Sequence, residues 1–486
     1  MSDTSLYFRL PPYEHQESVW QDSRDLDGYA LWWEMGVGKT CEIIGTTSYL
    51  FLEGKIDTLI VVAPNGVHAN WTIDEVPMHL PDAIMAKTKM LTWFSSTSTR
   101  KSVQAEFAEL VGHDGLVVFV MSYDAVMTDR GAKALKKLLD KRECLYVLDE
   151  SGRIKTPGSK RTKRILASAR YAKYKRVLTG TPVDNSPFDV YTQIKFCRPD
   201  ALAKFGITNF ATFKARYGIW EKRVNRGTGR SWDELVRYIK LDELHGIVDS
   251  VGSRLLKRDV LDLPDKIYEK RHFDLDPAQK KAYKELDKKF ITWFEGQSSV
   301  TADLVLTRML RMSQLCCGFI KDDDDQVRAV GKNVRLKALQ DVLEDTNGHV
   351  IIWCRWSWEV DEIRKVLGEE DAVYYDGRTS DQGRLDAKAR FQRDGTAKYF
   401  VAKASAAGEG LTLHRAKTVI YMSLTYSLRE RLQSEDRAHR AGMNDEPVLY
   451  IDILARNTYD EKLLQILRGK RNVASLVTGD FLTDWA

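Results

Sequence analysis

Short apolar runs of the kind that form buried strands alternate with helix-length segments in this sequence, and the alternation occurs twice. The first set of runs covers residues 29–33, 58–63, 116–122, 145–148 and 176–179. The second set covers residues 350–354, 372–375, 399–402, 418–422 and 448–454. Strands separated by helices are typical of parallel sheets that are covered by helices on both faces. The pattern therefore predicts an α/β protein with two doubly wound parallel-sheet lobes.

The residues between the two sets differ from both of them. They carry Lys, Arg, Asp and Glu at helical spacing, as over 276–295 and 301–316, and few strand-like runs. A chain of 486 residues is long enough for several domains, because a domain usually contains roughly 100–200 residues. The segments that we predict are a first lobe over 1–195, a helical insertion and linker over 196–330, a second lobe over 331–455 and C-terminal helices over 456–486.

Composition excludes several classes of protein. Hydrophobic residues make up 43% and charged residues 29% of the chain, which is typical of packed globular proteins and not of disordered or collagen-like ones. The apolar run 116–121 is far shorter than the roughly 18–20 residues of a membrane-spanning helix, and the N-terminal sequence MSDTSLYFRL lacks the apolar centre of a signal peptide. We expect no membrane association and a cytoplasmic location, or a nuclear one in a eukaryote.

The spacing of cysteine and histidine gives no sign of a structural metal site. The six cysteines form no C-x-x-C pair, and the nine histidines form no H-x-x-x-H pair. We therefore expect reduced cysteines and no structural zinc.

The sequence EMGVGKT, which ends at Thr40, lies between the first strand-like run and a helix-length segment. This is the position of a phosphate-binding loop, in which Gly36 and Gly38 let backbone N–H groups approach anionic oxygens at a helix N-terminus. Lys39 would neutralise the β and γ phosphates, and the Thr40 hydroxyl would bind Mg²⁺. Trp33 occupies the place of the first glycine in the strict G-x-x-x-x-G-K-T pattern. A glycine turn beside a surface lysine is the alternative interpretation.

Two further runs end in polar residues that suit nucleotide chemistry. The run LYVLDE ends in Asp149 and Glu150, where the first carboxylate would bind Mg²⁺ through water and the second would orient or deprotonate the attacking water. An Asp-Glu pair after a strand commonly just starts a turn, but together with a phosphate-binding loop it indicates nucleotide hydrolysis. The run RVLTGTP over 176–182 ends in small hydroxyl residues and suits a loop that responds to the nucleotide.

Seven short motifs follow one another along the chain in the order found in superfamily-two helicases. They are PPYEHQ with Gln16, EMGVGKT, LIVVAPNGVHANW, LDES, LTGTP, GEGLTL around Gly410, and QSEDRAHRAG over 433–442. Together they resemble the Swi/Snf-type branch of DNA translocases. The stretch 254–283 is similar to the linker between lobes in that family, and 458–481 is similar to its C-terminal brace helices. The resemblance covers nearly the whole chain.

The resemblance implies two tandem RecA-like lobes, brace helices that pack on them, and a site for ATP and Mg²⁺. The implied catalytic residues are Lys39, Asp149, Glu150, Arg437 and Arg440, the last two as arginine fingers from the second lobe. The implied ATP contacts are Gln16, which would recognise adenine, and Gly36, Gly38, Lys39, Thr40 and Gly410. Thr40 and Asp149 would bind Mg²⁺, mainly through water. For QSEDRAHR alone, an ordinary helix with charge pairs is the alternative.

We expect nucleic-acid contacts in loops at the open face of each lobe. A local basic excess agrees with this, because residues 151–175 contain nine Lys or Arg and no Asp or Glu. The residues expected to contact DNA are Asn65, Gly66, Ser122, Tyr123, Lys155, Lys160, Arg161, Lys403 and Ser405. A solvated face or an address signal is the alternative interpretation of the basic run. We assign Trp71 to the core.

One departure from the family concerns the link between nucleotide and motion. The family usually has DEAH or DEGH, whereas Ser151 and Gly152 follow Glu150 here, so the histidine that links nucleotide state to the LTGTP loop is missing. We expect hydrolysis to persist, but the sequence leaves the route of this link open.

The motifs favour a motor that hydrolyses ATP and moves along double-stranded DNA without separating the strands. A helicase or branch-migration enzyme that acts at forks or junctions, with a wedge from 205–240, fits the same motifs. A binding module with a dead ATPase disagrees with the intact catalytic residues, and a P-loop kinase or GTPase would not explain the second lobe. Because the motifs begin at Gln16 and the brace ends near the C-terminus, we expect a minimal bacterial, phage or mobile-element motor.

Overall fold

The computed structural model describes residues 4–65, 67–224, 231–296, 302–321, 326–406, 411–440 and 446–480. The described residues divide into two compact units. Those within 1–217, 239–262 and 473–481 form the first unit, and those within 218–238 and 263–472 form the second unit. Each unit contains a parallel sheet.

Strands and helices are numbered along the chain. The strands are β1 (Gly28–Trp33), β2 (Thr58–Ala63), β3 (Thr88–Trp93), β4 (Leu116–Ser122), β5 (Cys144–Asp149), β6 (Tyr174–Leu178), β7 (Gly218–Val224), β8 (Ser231–Tyr238), β9 (Gly252–Leu255), β10 (Lys266–Phe273), β11 (Phe319–Lys321), β12 (Val327–Ala329), β13 (Val350–Cys354), β14 (Ala372–Tyr375), β15 (Tyr399–Lys403), β16 (Thr418–Tyr421) and β17 (Val448–Ala455). The α-helices are α1 (Glu14–Ser23), α2 (Lys39–Leu52), α3 (Val76–His79), α4 (Asp82–Met85), α5 (Lys101–Val111), α6 (Tyr123–Met127), α7 (Asp129–Lys141), α8 (Lys160–Ala169), α9 (Val190–Cys197), α10 (Pro199–Ala203), α11 (Phe210–Tyr217), α12 (Leu241–Val251), α13 (Lys257–Val260), α14 (Pro277–Gly296), α15 (Ala302–Cys316), α16 (Val334–Glu344), α17 (Ser357–Leu367), α18 (Asp381–Lys388), α19 (Leu428–Glu435) and α20 (Tyr459–Thr478).

The sheet of the first unit has the strand order β3-β4-β2-β5-β6-β1-β9. All neighbouring strands in it are parallel. The central strands β2 and β4 are buried along their whole length, as expected for a sheet covered on both faces. Because parallel strands all end at the same edge, the loops that follow β1, β2, β4, β5 and β6 lie along one edge of this sheet.

The sheet of the second unit has the order β10-β17-β16-β13-β15-β14 and is also parallel throughout. Its core includes Val350, Ile352, Val401, Ile420 and Ile451, one or two from each of four strands. The α/β class with two parallel-sheet lobes that the sequence predicts is therefore confirmed.

Residues 196–330 contain strands as well as the helices that we expected there. Helices α10 to α15 lie in this segment, but β9 pairs with the edge of the first sheet and β10 with the edge of the second. Strands β7 and β8 form an antiparallel hairpin. Edge strands tolerate charged side chains because part of their surface stays in solvent, and β10, KIYEKRHF, is fully buried only at Phe273. The boundaries of the four predicted segments stay a prediction.

The C-terminal helix α20 belongs to the second unit as far as Asn472 and to the first unit from Val473 onwards. Within the first unit, Asp480 pairs with Arg254 of β9 at 2.8 Å. Among the residues described here, none of the helices combines the length and the hydropathy that crossing a membrane requires.

Candidate nucleotide-binding and hydrolysis site

The loop EMGVGKT connects β1 to α2, and α2 begins at Lys39. Gly36 and Gly38 both adopt left-handed backbone conformations, with φ of 83° and 87°, which cost glycine less than any residue with a side chain. A Cβ atom at Gly38 would also lie only 1.9 Å from Gln16 Nε2. The loop therefore turns tightly into the N-terminus of α2, where free backbone N–H groups and the helix dipole attract anions.

Lys39 and Gln16 form hydrogen bonds with carbonyl groups of this same loop. Lys39 Nζ donates to Trp33 O at 2.9 Å and to Glu34 O at 3.0 Å. Gln16 is buried, and its Nε2 donates to Val37 O at 3.4 Å. The carboxamide of Gln16 thus supports the loop, and its contact with an adenine base stays a prediction.

Asp149 is the last residue of β5, and Glu150 follows it. Trp71 Nε1 donates to Asp149 Oδ2 at 3.1 Å, and Tyr123 Oη donates to the main-chain carbonyl of Asp149 at 2.8 Å. Burial, and to a smaller extent the Glu150 carboxylate, raise the pKa of Asp149 to about 6. Trp71 lies in the core, as expected, but its hydrogen bond and that of Tyr123 were not predicted from the sequence.

The loop 178–182 contacts both the carboxylates and the phosphate-binding loop. Thr179 Oγ1 donates to Glu150 Oε2 at 3.3 Å. A Cβ atom at Gly180 would lie 3.3 Å from Glu34 Cα, so a glycine eases this close approach. Thr181 Oγ1 is buried and has no hydrogen-bond partner among the described residues. The LTGTP loop therefore lies directly against the groups predicted to bind and hydrolyse ATP.

The residues present fit a nucleotide bound with Mg²⁺. Thr40 and Asp149 offer a hydroxyl and a carboxylate oxygen, the ligand types that Mg²⁺ prefers, and Mg²⁺ commonly takes its other ligands from water and substrate phosphates. The unpartnered hydroxyl of Thr181 is a further polar group left for a ligand. No group of three or more His, Cys, Asp or Glu in the described part of the chain is arranged to hold a metal ion by itself.

The predicted DNA contacts that follow β2 and β4 differ in exposure. Asn65 is exposed, and Gly66 lies outside the described residues. Ser122 and Tyr123 are both buried. The Ser122 hydroxyl accepts a hydrogen bond from Ala125 N at 3.1 Å and so caps α6. The Ser122 side chain thus contacts α6 and that of Tyr123 contacts the end of β5, and their contact with nucleic acid stays a prediction.

The predicted DNA contacts in the basic run lie in or just before α8. Lys160 is exposed. Lys155 forms an ion pair with Asp184, and Arg161 Nη2 donates to Asp124 Oδ1 at 2.7 Å. Contact of these residues with nucleic acid stays a prediction.

In the second unit, the two predicted arginine fingers contact the segment that follows Gly410, which itself lies outside the described residues. Arg437 is buried, and its Nη1 donates to Leu411 O at 3.2 Å. Arg440 is half-buried, and its Nη1 donates to Thr412 Oγ1 at 3.1 Å. Their action as arginine fingers stays a prediction.

The remaining predicted DNA contacts of the second unit follow β15. Lys403, the last residue of that strand, donates a hydrogen bond from Nζ to Ser357 Oγ at 3.3 Å. Ser405 is exposed. Their contact with nucleic acid is likewise untested.

Helix α19, which leads to the two arginines, is anchored by buried charges. Arg431 donates from Nε to Glu435 Oε1 at 2.8 Å and from Nη2 to Asp452 Oδ2 at 3.3 Å. Glu435 Oε2 also accepts from Tyr268 Oη at 2.8 Å and lies 3.2 Å from Lys266 Nζ. Burial alone would raise the pKa of Glu435, but Lys266 and Arg431 outweigh it and lower that pKa to about 2. We call these five residues, of which Lys266 and Tyr268 are half-buried and the other three buried, the buried ion cluster.

Comparison with known proteins identifies two domains. The model of the SNF2-related domain matches residues 18–319, and the model of the helicase conserved C-terminal domain matches residues 334–442. The chain is 26% identical to the DNA annealing helicase and endonuclease ZRANB3 of Bos taurus, over 90% of this chain and 38% of that protein. It is 28% identical to the probable ATP-dependent DNA helicase CHR12 of Arabidopsis thaliana, over 91% of this chain and 39% of that protein.

The chain is also similar to the solved structure of the Sulfolobus solfataricus SWI2/SNF2 ATPase core in complex with dsDNA. The match covers 97% of this chain and 95% of the chain in that structure, with 22% sequence identity and a TM-score of 0.43. The chain spans less than two fifths of the length of the two relatives named above. The SNF2-related model alone matches more than half of the chain, and the C-terminal model follows it in the order that the motifs predict. The chain therefore belongs to the SNF2-related family, the Swi/Snf-like branch of helicase superfamily two.

Proposed function

We propose that this protein is a motor that hydrolyses ATP and uses the reaction to move along double-stranded DNA. Membership of the SNF2-related family supports the proposal. So do relatives whose names describe DNA helicases. The observation that carries it is the contact of three loops in the first unit, where Thr179 bonds to Glu150 and Gly180 lies against Glu34.

In this proposal, the N-terminus of α2 and Lys39 bind the β and γ phosphates of ATP. The N-terminal N–H groups and the ammonium group both favour anionic oxygens. Lys39 Nζ donates hydrogen bonds to the carbonyl oxygens of Trp33 and Glu34. When ATP binds, phosphate oxygens can replace these neutral acceptors.

Glu150 would accept the proton of the attacking water, and Thr179 orients the Glu150 carboxylate through its hydroxyl. Mg²⁺ bound by oxygens of Thr40 and Asp149 would neutralise charge on the phosphates. Arg437 and Arg440 are the proposed source of a guanidinium that stabilises charge in the transition state.

DNA would be bound through its phosphates, which gives affinity without base specificity. The exposed Asn65, Lys160 and Ser405 are the first candidates for such contacts. A DNA substrate would place the protein in the cytoplasm of a bacterial or virus-infected cell, or in the nucleus of a eukaryotic one.

The test is ATP turnover by the full chain without nucleic acid and with duplex, single-stranded, forked and four-way DNA, and RNA. We expect the largest stimulation with duplex DNA, together with displacement of a third strand from a triplex and no separation of a plain duplex. Glu150→Gln is the control for catalysis, because the amide cannot accept the proton while ATP binding should persist. Absence of turnover with every nucleic acid would refute the motor, whereas unwinding of forks or junctions would identify a strand-separating or branch-migrating enzyme instead.

A further inference from the structure

Gly152 stands where the motif of the family usually has a histidine that links nucleotide state to the LTGTP loop, and the structure contains a different link at the neighbouring residue, Ser151. The Ser151 hydroxyl donates to Gln193 Oε1 at 2.7 Å. Both residues are completely buried. Gln193 lies on α9, 42 residues further along the chain.

Gln193 carries the contact onward to the LTGTP loop. Its Nε2 donates to Pro182 O at 2.9 Å and to Asp189 O at 2.9 Å. Pro182 is the last residue of LTGTP, and Asp189 Oδ2 accepts a hydrogen bond from Asn185 N at 2.8 Å. One buried amide group therefore uses its oxygen for Ser151 and its hydrogens for the last residue of the loop and for the chain that follows it. Buried networks whose groups are all paired hold their members rigidly.

Ser151 is also next to a strained residue. Glu150 has φ of 53°, one of three non-glycine residues with positive φ in the described part of the chain. Such a conformation is costly for a residue with a side chain and persists where the surroundings fix it. The bond from Ser151 to Gln193 fixes the residue directly after Glu150, and the bond from Thr179 fixes the carboxylate itself.

We propose that Ser151 and Gln193 are positioning residues that couple Glu150 to the LTGTP loop in place of the missing histidine. The inference rests on the proposed function, since it assigns the two residues to DNA-stimulated ATP hydrolysis. Neither side chain touches the nucleotide in this proposal. Their loss should therefore lower the turnover number and leave nucleotide affinity unchanged.

The experiment compares Ser151→Ala, Gln193→Met and the double variant with the wild-type protein. We expect each single variant to lower the duplex-stimulated turnover number about tenfold, as for a modestly displaced catalytic base, with the KM for ATP and the Kd for ADP within about twofold of wild type. Because the two residues are successive members of one series of hydrogen bonds, the double variant should be little worse than the worse single variant. Ser151→Thr retains a hydroxyl and should recover most of the turnover.

Ser168→Ala is the matched control. The hydroxyl groups of Ser168 and Tyr146 share a hydrogen bond at 3.2 Å. Tyr146 lies on β5, three residues before Asp149. Like Ser151→Ala, the Ser168→Ala variant removes one serine hydroxyl from the first unit, and we expect it to retain wild-type turnover.

The possible outcomes separate this inference from the proposed function. A wild-type protein without DNA-stimulated turnover refutes the motor. A stimulated wild type with unaltered Ser151→Ala and Gln193→Met variants refutes only the coupling. Loss of folding or of ADP affinity in both single variants, or additive losses in the double variant, would assign the pair a structural role and overturn the inference as well.

Discussion

The two units differ in what supports the elements that carry their predicted catalytic groups. In the first unit, Lys39 donates hydrogen bonds to carbonyl groups. Asp149 accepts one from an indole, and Glu150 accepts one from a hydroxyl. In the second unit, the helix that leads to Arg437 and Arg440 rests on the buried ion cluster. Neutral groups thus contact predicted catalytic residues in both units, and in the second unit paired charges also hold the helix that precedes them.

The difference separates residues that govern chemistry from residues that govern folding. A hydrogen bond between a charged group and a neutral one contributes about 1.5–3 kcal/mol to stability, and a charged ligand can take the place of the neutral partner. Removing one ion from a buried cluster leaves an uncompensated charge and costs about 3–5 kcal/mol. We therefore expect substitutions at the first site to change turnover in a folded protein, and substitutions in the ion cluster to unfold the second unit.

The largest effect should come from Lys39→Ala. We expect ATP hydrolysis to fall below detection because the charge facing the β and γ phosphates is removed, while the protein stays folded. Turnover with saturating duplex DNA and circular dichroism measure the two halves of this prediction. Lys133→Ala, which removes an exposed lysine of α7 in the same unit, should behave as wild type. Wild-type turnover by Lys39→Ala would remove the nucleotide assignment.

Arg431→Met should test the ion cluster. It leaves Glu435 and Asp452 buried without their guanidinium partner, so we expect the second unit to lose about 3–5 kcal/mol of stability. Hydrogen–deuterium exchange of β16 and β17 in increasing urea reports this loss. Lys337→Met breaks the exposed pair with Asp341 on α16 and should change nothing measurable. Equal stability of the two variants would show that the ion cluster does not stabilise the second unit more than an exposed ion pair does.

Arg440→Ala should sharpen the contrast inside the second unit, because Arg440 bonds to the Thr412 hydroxyl and lies outside the ion cluster. We expect a folded protein with near-normal binding of ATP and DNA, and DNA-stimulated turnover lower by about two orders of magnitude or more. Arg440→Lys should not restore turnover, since an ammonium lacks the planar fork of a guanidinium. If Arg440→Ala and Arg437→Ala both hydrolyse ATP at the wild-type rate, the arginine-finger assignment fails.

The smallest effect is expected on α8. Lys160 and Lys163 are exposed, so replacing both by Ala should weaken duplex binding a few-fold and reduce the slope of log K against log[salt] by about 0.9 for each DNA phosphate that is no longer neutralised. Basal ATP turnover should be retained. Arg161 and Arg164 of the same helix bond to Asp124 and to the Met127 carbonyl, so their removal should also disturb the fold nearby. An unchanged slope would show that the two lysines do not contact DNA phosphates and belong to an ordinary solvent-exposed surface.

The sequence was sufficient to predict strands wherever the chain is buried on both sides. The ten predicted runs coincide with β1, β2, β4, β5, β6 and β13 to β17, which are mostly apolar. It missed β3, β9 and β10, which lie at sheet edges, and the two antiparallel pairs, β7 with β8 and β11 with β12. Strands β3, β9 and β10 each have one neighbour and keep polar residues, so their patterns do not differ from that of a loop or an amphipathic helix, whereas β14, also at an edge, is apolar and was predicted.

The predicted site was accurate where a motif is contiguous and incomplete where partners are far apart in the chain. The motifs alone place Lys39 at the start of a helix and Asp149 and Glu150 at the end of a strand, where the structure has them. The bond between Trp71 and Asp149 spans 78 residues, and no local pattern distinguishes such an indole from any other core tryptophan. Within the ion cluster, the i, i+4 spacing of Arg431 and Glu435 was the one local signal, and exposed helices show the same spacing.

Because β1 pairs with β9, the first sheet can be completed during synthesis only after β9 has left the ribosome. β1 completes its pairing only with residues 252–255, and Trp33 Nε1 bonds to Ser253 Oγ, 220 residues later, at 2.8 Å. Until that part of the chain has been made, the backbone groups on one side of β1 have no strand to pair with, and such edges promote aggregation. A fragment that ends at residue 217 would keep the phosphate-binding loop but leave this edge open. A productive boundary for expressing the first unit therefore lies beyond Leu255.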